Sequence, residues 1–367
     1  MKTTFALAAL AAGAVAVPSG HRHLHQNRRQ EARDVVVETD VVYATAPQVM
    51  VYVDANGNPF STSTVSVTEE TQAPVQEVEA AAEPTEEAVA AYEPEASPKE
   101  ESTSDSRGLG SGHGIVYSPY NGDGTCKSQD QVNSDFRGIN GYDTVRIYGV
   151  DCNQVTTVLN AARSKGMGIF AGIFNIDQVS NEVQTLIEAA QGNWGSIETV
   201  SVGNEGVNNG QYSVSAVASA VNTARSALRA AGYNGPVVTV DTFVAIISNP
   251  ALCDVGDYVA ANCHAFFDGG VTAQNAGDFV LTQAQRVSNA CGGKHTVITE
   301  TGWPSQGASN RNAIPSRQNQ ADAIASIENR FSNNVILFTA YNDHWKSNFA
   351  GSYGAEQFWG IYGDSSA

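Results

Sequence analysis

Basic residues are scarce in this sequence. It has 20 Lys and Arg against 38 Asp and Glu in 367 residues, which gives a formal net charge of −18. Eleven Glu and a single Lys lie between Glu69 and Glu101, so the acidic excess is concentrated in one segment. Binding to nucleic-acid phosphates needs clustered Lys and Arg. Because the sequence contains no such cluster, we expect no nucleic-acid partner.

Cysteine is also sparse, and its spacing argues against a zinc site. The five cysteines form no CxxC motif and no Cys/His pattern of the kind that holds zinc. An odd number in an oxidising compartment predicts one or two disulfides, with the pairing open, and at least one cysteine that is unpaired or bonded to another molecule. The cysteines are Cys126, Cys152, Cys253, Cys263 and Cys291. We expect no metal and no cofactor, and the lack of an Asn-x-Ser/Thr sequon predicts no N-linked glycan.

Long apolar runs are missing as well. Residues 1–16 combine a basic start at Lys2, an apolar core and a small-residue end, which is typical of a secretory signal peptide. A membrane anchor needs ~20 apolar residues, and no later stretch reaches that length. Residues 360–367 lack the hydrophobic tail of a lipid-anchor signal. The sequence therefore predicts a soluble, exported protein, and we expect a monomer.

Composition divides the remaining chain into three segments. Residues 17–60 form a poorly defined N-terminal segment, in which the dibasic pair at Arg28 is either a protease processing site or plain basic surface. Its β-branched run at residues 35–53 predicts either one hairpin or an extended segment. Residues 61–111 are rich in Ser, Thr, Ala, Pro and Glu, which predicts a disordered, self-repelling linker. Residues 112–367 have the composition of a folded domain.

The folded domain has the length and rhythm of a (β/α)8 barrel, an α/β fold. Its 256 residues are close to the ~250 typical of that fold. Five helical stripes with apolar residues at i, i+3, i+4 and i+7 alternate with strand-like runs, which indicates a parallel sheet with helical crossovers. An open doubly wound sheet is the alternative, but no Gly-rich phosphate loop follows the first strand. The last crossover helix is expected to be short or missing. The eight strand-like runs are residues 114–117, 144–148, 168–174, 199–202, 237–240, 258–266, 296–299 and 335–341.

Two of these strands end in a glutamate. Glu205 follows the fourth strand and Glu300 the seventh. In a (β/α)8 barrel the active site lies at the C-terminal mouth of the strands, so we expect the two side chains to converge there, from strands facing each other across the barrel. Two carboxyl groups ~5–5.5 Å apart suit retaining glycoside hydrolysis, in which one acts as nucleophile and the other as acid and base. The sequence therefore predicts a catalytic carboxylate pair.

The blocks around these glutamates carry a family resemblance. Residues 201–205 (SVGNE) and residues 299–305 (TETGWPS) resemble the two signature blocks of glycoside hydrolase family 17. The likeness is greatest to its fungal cell-wall β-1,3-glucanases and glucanosyltransferases, and it covers residues 112 to about 363. The resemblance implies that Glu205 is the acid/base, that Glu300 is the nucleophile, and that Asn204 bonds the 2-hydroxyl of the attacked sugar.

Aromatic residues near the strand ends are candidates for sugar binding. Sugars present C–H groups that stack on aromatic rings, and Trp303, Tyr341 and Trp345 are the candidates for such stacking. Tyr117 ends the first strand and is a further candidate for substrate contact. For Trp303 and Trp345 the alternative is ordinary packing against neighbouring loops.

Polar residues near the same strand ends are candidates for orienting the site. Tyr148 ends the second strand, with Arg146 just inside it, and is a candidate to bond the nucleophile carboxylate or a sugar hydroxyl. His264, in the sixth strand, is either an orienting histidine or an ordinary core histidine. Asp241 and Asp343 follow the fifth and eighth strands as loop caps, with hydroxyl binding as the alternative.

These features predict a secreted retaining hydrolase of β-1,3-glucan in the cell wall. Three alternatives remain. A glucanosyltransferase shares every residue named above and passes the sugar to another glucan instead of water. An exo-acting β-glucosidase differs only in loops that close one end of the cleft. A non-catalytic glucan-binding wall protein is expected only if one of the two glutamates were replaced.

Overall fold

The N-terminal part of the described chain is a two-stranded hairpin. The computed structural model describes residues 48–53, 59–65 and 112–366. Strands β1 (Gln48–Val53) and β2 (Pro59–Val65) pair antiparallel, so residues 48–53 of the segment left open between hairpin and extended chain belong to a hairpin, and residues 35–47 lie outside the described residues. Strand β2 reaches into the first residues of the predicted linker. The predicted signal peptide at 1–16 and the remainder of the linker lie outside the described residues.

Residues 112–366 contain a closed barrel of eight parallel strands, which confirms the predicted (β/α)8 fold. Each strand pairs with its neighbour in chain order, and the last, β10, closes the ring by pairing with the first, β3. The strands are β3 (Gly114–Val116), β4 (Thr144–Arg146), β5 (Gly168–Ile173), β6 (Ile197–Asn204), β7 (Val237–Thr242), β8 (Val259–Asn262), β9 (Thr296–Thr301) and β10 (Val335–Leu337).

Seven α-helices lie between these strands in the described chain, and the five predicted stripes are all helices. The two missed helices have weak signals. Helix α1 has few apolar residues and begins at a capping box in which Ser128 and Gln131 bond each other's backbone. Helix α5 is only six residues long. The helices are α1 (Gln129–Gly138), α2 (Gln154–Ser164), α3 (Val179–Ala190), α4 (Val214–Ala230), α5 (Phe243–Ser248), α6 (Ala276–Ala290) and α7 (Arg317–Arg330).

No α-helix follows β10 among the described residues, as the sequence predicted. The C-terminal segment instead bonds the chain just after β10: Ile361 N donates to Thr339 O and Tyr362 N to Ala340 O, both at 2.9 Å. No helix in the described part of the chain is both long enough and apolar enough to cross a membrane.

Two disulfides form, which confirms that prediction and decides the pairing. Cys126–Cys152 joins the loops that follow β3 and β4, and Cys253–Cys291 joins the segment after α5 to the end of α6. The fifth cysteine, Cys263, is buried and free.

A buried ion pair anchors α1 to the barrel. Lys127 Nζ lies 2.5 Å from Asp135 Oδ2, and both side chains are almost fully buried. Tyr117 donates its hydroxyl to the same oxygen at 2.8 Å, and Ser365 donates to the other. Tyr341 donates to the Asp135 carbonyl at 2.7 Å. This cluster connects α1 to the first barrel strand, to the loop after the last strand and to the C-terminal segment.

We expect Asp135→Ala to lower the free energy of unfolding by about 3–5 kcal/mol, because it leaves the Lys127 charge buried without its partner. Denaturant unfolding measures the loss. Asp278→Ala is the matched control, since Asp278 pairs with Arg330 on the surface and is 54% exposed. Its loss should stay below about 1 kcal/mol. Equal losses in the two variants would contradict the role given to the buried pair.

Candidate active site

Asn204 and Glu205 are consecutive residues whose side chains both reach the barrel mouth. Neighbouring strand residues ordinarily point to opposite faces. Here the pairing of β6 with β7 shifts register between Ser201 and Asn204, with Gly203 at φ +80°. Glu205 itself has φ +54°, a left-handed conformation that costs a residue with a side chain about 1–2 kcal/mol. The bulge and the strained residue together turn both side chains the same way.

Hydrogen bonds hold Glu205 and the loop that follows it against strand β7. Glu205 N donates to Val240 O at 2.9 Å. The Asp241 carboxylate accepts from the backbone of Val207 at 2.9 Å and of Asn208 at 3.2 Å. Asp241 therefore acts as a loop cap, which was the first of its two predicted roles, and it holds the turn that carries Glu205.

Glu300 reaches the mouth through a similar irregularity in β9. The pairing of β8 with β9 shifts register between Ala261 and Asn262. As a result Thr299 and Glu300 both bond residues of the site: Thr299 donates to Asn262 Oδ1 at 2.9 Å, and Glu300 contacts Arg146. Strands β6 and β9 have β7 and β8 between them, so the two glutamates do not come from directly opposite strands as expected.

Arg146 is the fixed positive charge of the site. It is 1% exposed. Its Nη1 lies 2.9 Å from Glu300 Oε1 and donates to Thr299 O at 2.7 Å, and its Nη2 donates to Asn204 Oδ1 at 2.9 Å. The guanidinium also lies over the Tyr148 ring, 4.5 Å from its centroid. Arg146 therefore connects the residues of β6 with those of β9.

Asn262 connects Glu205 to Thr299 and Arg146, and it was not predicted from the sequence. Its Nδ2 donates to Glu205 Oε1 at 2.8 Å and to Asn204 Oδ1 at 3.2 Å. Its Oδ1 accepts from Thr299 and lies 3.4 Å from Arg146 Nη1. The only signal in the sequence is a polar amide inside the apolar run of the sixth strand, two residues before His264.

We expect Asn262→Ala to lower kcat/KM roughly 10–100-fold, because it releases the Glu205 carboxyl group from its fixed position. The same bond holds the pKa of Glu205 down, so the alkaline limb of the pH profile should move to higher pH. A pH series of kcat/KM measures both effects. Thr299→Val removes only the bond to Asn262 Oδ1 and should shift neither quantity as far. An unchanged pH profile in Asn262→Ala would contradict this role.

Tyr148 and His264 both lie near Glu300, and their contact with substrate stays a prediction. His264 Nε2 lies 3.2 Å from Glu300 Oε2, and the ring packs edge-on against Phe338 and Trp359. Burial raises the pKa of Tyr148 well above its ordinary value, and the charge of Glu300 raises it further. The tyrosine hydroxyl therefore stays protonated beside the carboxylate.

The environment of Glu205 favours its neutral form. Burial raises the pKa of Glu205 to about 7, and the Glu300 charge adds to the effect, against the lowering influence of Asn262 and His264. A carboxyl group near a second carboxylate in a desolvated site keeps its proton to higher pH. The mouth thus holds one carboxyl group that is protonated near neutral pH and a second that pairs with an arginine.

Two of the residues predicted to contact sugar, Trp303 and Tyr117, are buried in the packing layer. Trp303 is fully buried, donates its ring N–H to Ile314 O at 3.0 Å and packs edge-on against Phe266, so it offers no face to a sugar. Tyr117 is 1% exposed and points to Asp135 in α1. Both residues follow their strands as predicted, but their side chains are turned into the packing layer. The Tyr341 hydroxyl bonds helix α1 as well, while its ring is partly exposed, so its contact with sugar stays a prediction.

Trp345 is partly exposed and held at a defined angle. Its ring N–H donates to Asp343 Oδ1 at 3.0 Å and to Ser118 Oγ at 3.1 Å, and the ring lies 4.9 Å from that of Tyr120. Asp343 also lies 3.3 Å from the buried Lys346 Nζ. Asp343 therefore holds both the Trp345 ring and the Lys346 cation in place, whereas the sequence favoured a loop cap.

Lys346 and Glu356 extend the charge network and carried no sequence signal. Burial lowers the pKa of Lys346, but the charges of Asp343, Glu356 and Glu300 outweigh it and raise the pKa overall. Burial raises the pKa of Glu356 overall, although the charges of Lys346 and His264 act to lower it. Both residues lie in an irregular loop without a motif.

Among the described residues no group of three or more His, Cys, Asp or Glu side chains could hold a metal ion.

A (β/α)8 barrel with two carboxyl groups, an arginine and hydrogen-bonding amides at its C-terminal mouth has the architecture of a glycoside hydrolase. A family model described as the BtgE/BtgC glycoside hydrolase domain matches residues 114–360. The chain belongs to this family, a group of family 17 glycoside hydrolases, and the resemblance seen in the two sequence blocks is confirmed.

Several curated fungal proteins are similar to the chain. The cell surface mannoprotein MP65 of Candida albicans is 53% identical over 262 residues, which cover 70% of this chain and 68% of that protein. The probable family 17 glucosidase SCW10 of Saccharomyces cerevisiae is 51% identical over 251 residues, covering 68% and 64%. The probable β-glucosidase btgE of Aspergillus fumigatus is 34% identical over 256 residues. The match spans about two thirds of the length of the two yeast relatives and 45% of the Aspergillus protein.

Solved structures share the fold. A glycoside hydrolase family 17 β-1,3-glucanosyltransferase from Rhizomucor miehei superimposes with a TM-score of 0.60 at 24% identity, covering 70% of this chain and 94% of that one. An endo-laminarinase from Formosa Hel1_33_131 gives a TM-score of 0.58 at 18% identity, covering 70% and 84%. At these identities the likeness establishes the barrel fold alone.

Proposed function

We propose that the chain is a retaining hydrolase of β-1,3-glucan, with Glu300 as nucleophile and Glu205 as acid/base. The observation that carries this proposal is the contrast between the two carboxyl groups. Burial and the Glu300 charge raise the pKa of Glu205 to about 7, so it keeps a proton to donate. Glu300 pairs with the permanently charged Arg146 at 2.9 Å, which suits an anionic nucleophile.

The reaction runs as two displacements at one carbon. In the first, Glu300 attacks the anomeric carbon while Glu205 gives its proton to the leaving oxygen, so an ester bond forms as the glycosidic bond breaks. In the second, Glu205 takes a proton from a water molecule that attacks the same carbon and releases Glu300. Two inversions leave the anomeric configuration unchanged.

The Asn204 amide supports a role in holding the reacting sugar. Its Oδ1 accepts from Arg146 and Asn262. Its Nδ2 is buried and has no hydrogen-bond partner within the described residues. A buried donor without a partner is costly. A sugar 2-hydroxyl at the anomeric centre would satisfy this donor.

The proposed setting is the fungal cell wall, and the proposed catalytic unit is residues 112–367. All of the catalytic residues lie in this unit. Residues 1–16 are the proposed export signal, and the two disulfides fit an oxidising, extracellular compartment. One relative is a cell surface mannoprotein. A non-catalytic glucan-binding role is disfavoured because both carboxyl groups are present.

Digestion of laminaripentaose, followed by NMR of the first reducing ends, tests this function. We expect shorter laminari-oligosaccharides that are released as β-anomers. Release of α-anomers, or no cleavage of any β-1,3-glucan, would overturn the proposal. Products longer than the substrate would mean that transfer to another glucan is the main reaction. Release of glucose alone would mean that the enzyme acts from the chain end.

A further inference from the structure

Phe267 is an exposed ring next to the catalytic residues. It lies in the loop after β8 and is 43% exposed. Its ring centroid lies 6.1 Å from that of His264, whose Nε2 lies 3.2 Å from Glu300. Only one side chain therefore separates Phe267 from the proposed nucleophile. Trp303, a candidate for sugar stacking, is by contrast fully buried.

The ring is the outermost member of an aromatic column. Trp359 lies 5.8 Å from Phe267 at an interplanar angle of 37°, and 5.0 Å from His264. Trp359 is 3% exposed, so its face is covered. Phe266, also buried, lies 5.5 Å from Phe267 on a further side. These contacts support Phe267 from the protein side and leave its remaining surface to solvent.

The backbone that carries Phe267 is also held in place. Asn310 is 7% exposed, and its Nδ2 donates to the carbonyls of both Phe266 and Phe267 at 3.1 Å. The Phe267 N–H donates to His264 O at 3.2 Å within a single 3-10 turn. A ring fixed in this way loses little entropy when a ligand stacks on it. An exposed, pre-organised ring beside a polar cleft is suited to a neutral sugar, because it recognises C–H groups and excludes water.

We propose that Phe267 is a stacking platform for a glucosyl unit outside the two that flank the cleaved bond, and that it therefore sets the oligosaccharide length needed for full activity. This inference rests on the proposed function. Asn310 is the positioning residue of the platform. The ring makes no contact with the reacting atoms, so its contribution is to binding of the longer substrate.

The test compares kcat/KM across a series from laminaribiose to laminarihexaose for the full chain and its variants. Phe267→Ala should lower kcat/KM about tenfold for oligosaccharides long enough to reach the ring and leave the shorter ones unchanged. Phe267→Tyr keeps an aromatic face and should restore the wild-type values. Phe349→Ala is the matched control, because it removes a ring that is 55% exposed without ring contacts to the site.

A second measurement does not need turnover. Calorimetric titration with laminarihexaose should show about tenfold weaker binding to the double variant Glu300→Gln/Phe267→Ala than to Glu300→Gln. Equal binding, unchanged kinetics in Phe267→Ala, or a loss that is equal at every length would overturn the platform while the proposed function stands. If the wild-type chain cleaves no member of the series, the proposed function fails, and the binding comparison alone decides whether the platform exists.

Discussion

Glu300→Gln should lower kcat on laminari-oligosaccharides by at least roughly 10³-fold while leaving their Kd within a few-fold of wild type. The amide has the size of the carboxylate but cannot form an ester with the anomeric carbon. The substitution leaves in place the neighbouring groups proposed to bind substrate, such as Asn204. Initial rates and calorimetric titration measure the two quantities on the same preparation.

Two controls make this result specific. Glu188→Gln makes the same chemical change on the exposed surface of α3 and should leave kcat unchanged. Arg146 loses its charged partner in Glu300→Gln, so a modest fall in thermal stability is expected, and circular dichroism must show a folded protein. Full turnover in a folded Glu300→Gln variant would show that Glu300 is not the nucleophile.

The second large effect is on proton transfer by Glu205. Burial and the Glu300 charge place the pKa of Glu205 at about 7, so the wild-type kcat/KM should fall as pH rises through that value. Glu205→Gln should lose this limb and lower kcat/KM roughly 10²–10⁴-fold on oligosaccharides. Aryl β-glucosides with acidic leaving groups need no proton, so their formation of the glycosyl-enzyme should be much less affected. An alkaline limb that persists in Glu205→Gln would contradict the assignment.

Stability gives an independent check on the same shift. The pKa of Glu205 is higher in the folded state than its ordinary value of 4.5. The folded state therefore holds this proton more tightly, and its stability should decrease as pH rises from about 4.5 to about 7. Glu205→Gln removes the penalty. We expect the variant to match the wild type near pH 4 and to melt at a higher temperature near pH 8, as measured by calorimetry.

The barrel and its two glutamates were accessible from the sequence because their signals are local. Each strand is a short apolar run, each predicted helix repeats apolar residues over several turns, and Glu205 and Glu300 directly follow or end such runs. The two missed helices show the limit of these signals. Helix α1 buries few apolar side chains, and its position depends on the ion pair between Asp135 and Lys127.

Apart from the expected placement of the two glutamates on opposite strands, the errors concern the direction of side chains. Trp303 and Tyr117 lie after strands as predicted, but the ring N–H group and the hydroxyl group have partners in the packing layer. A residue's distance from a strand end does not tell which face its side chain takes, because the loop conformation decides it. For the same reason the exposure of Phe267 was not foreseen.

By itself the sequence determined the fold, the family and the acidic pair, since these depend on patterns of neighbouring residues. Only the tertiary structure decided the surroundings of the pair. Arg146 and Asn262 are 116 positions apart in the chain, yet both bond Asn204, while Arg146 also bonds Glu300 and Asn262 also bonds Glu205. The protonation of Glu205 follows from burial and from a charge on another strand, and both exist only when the barrel is closed.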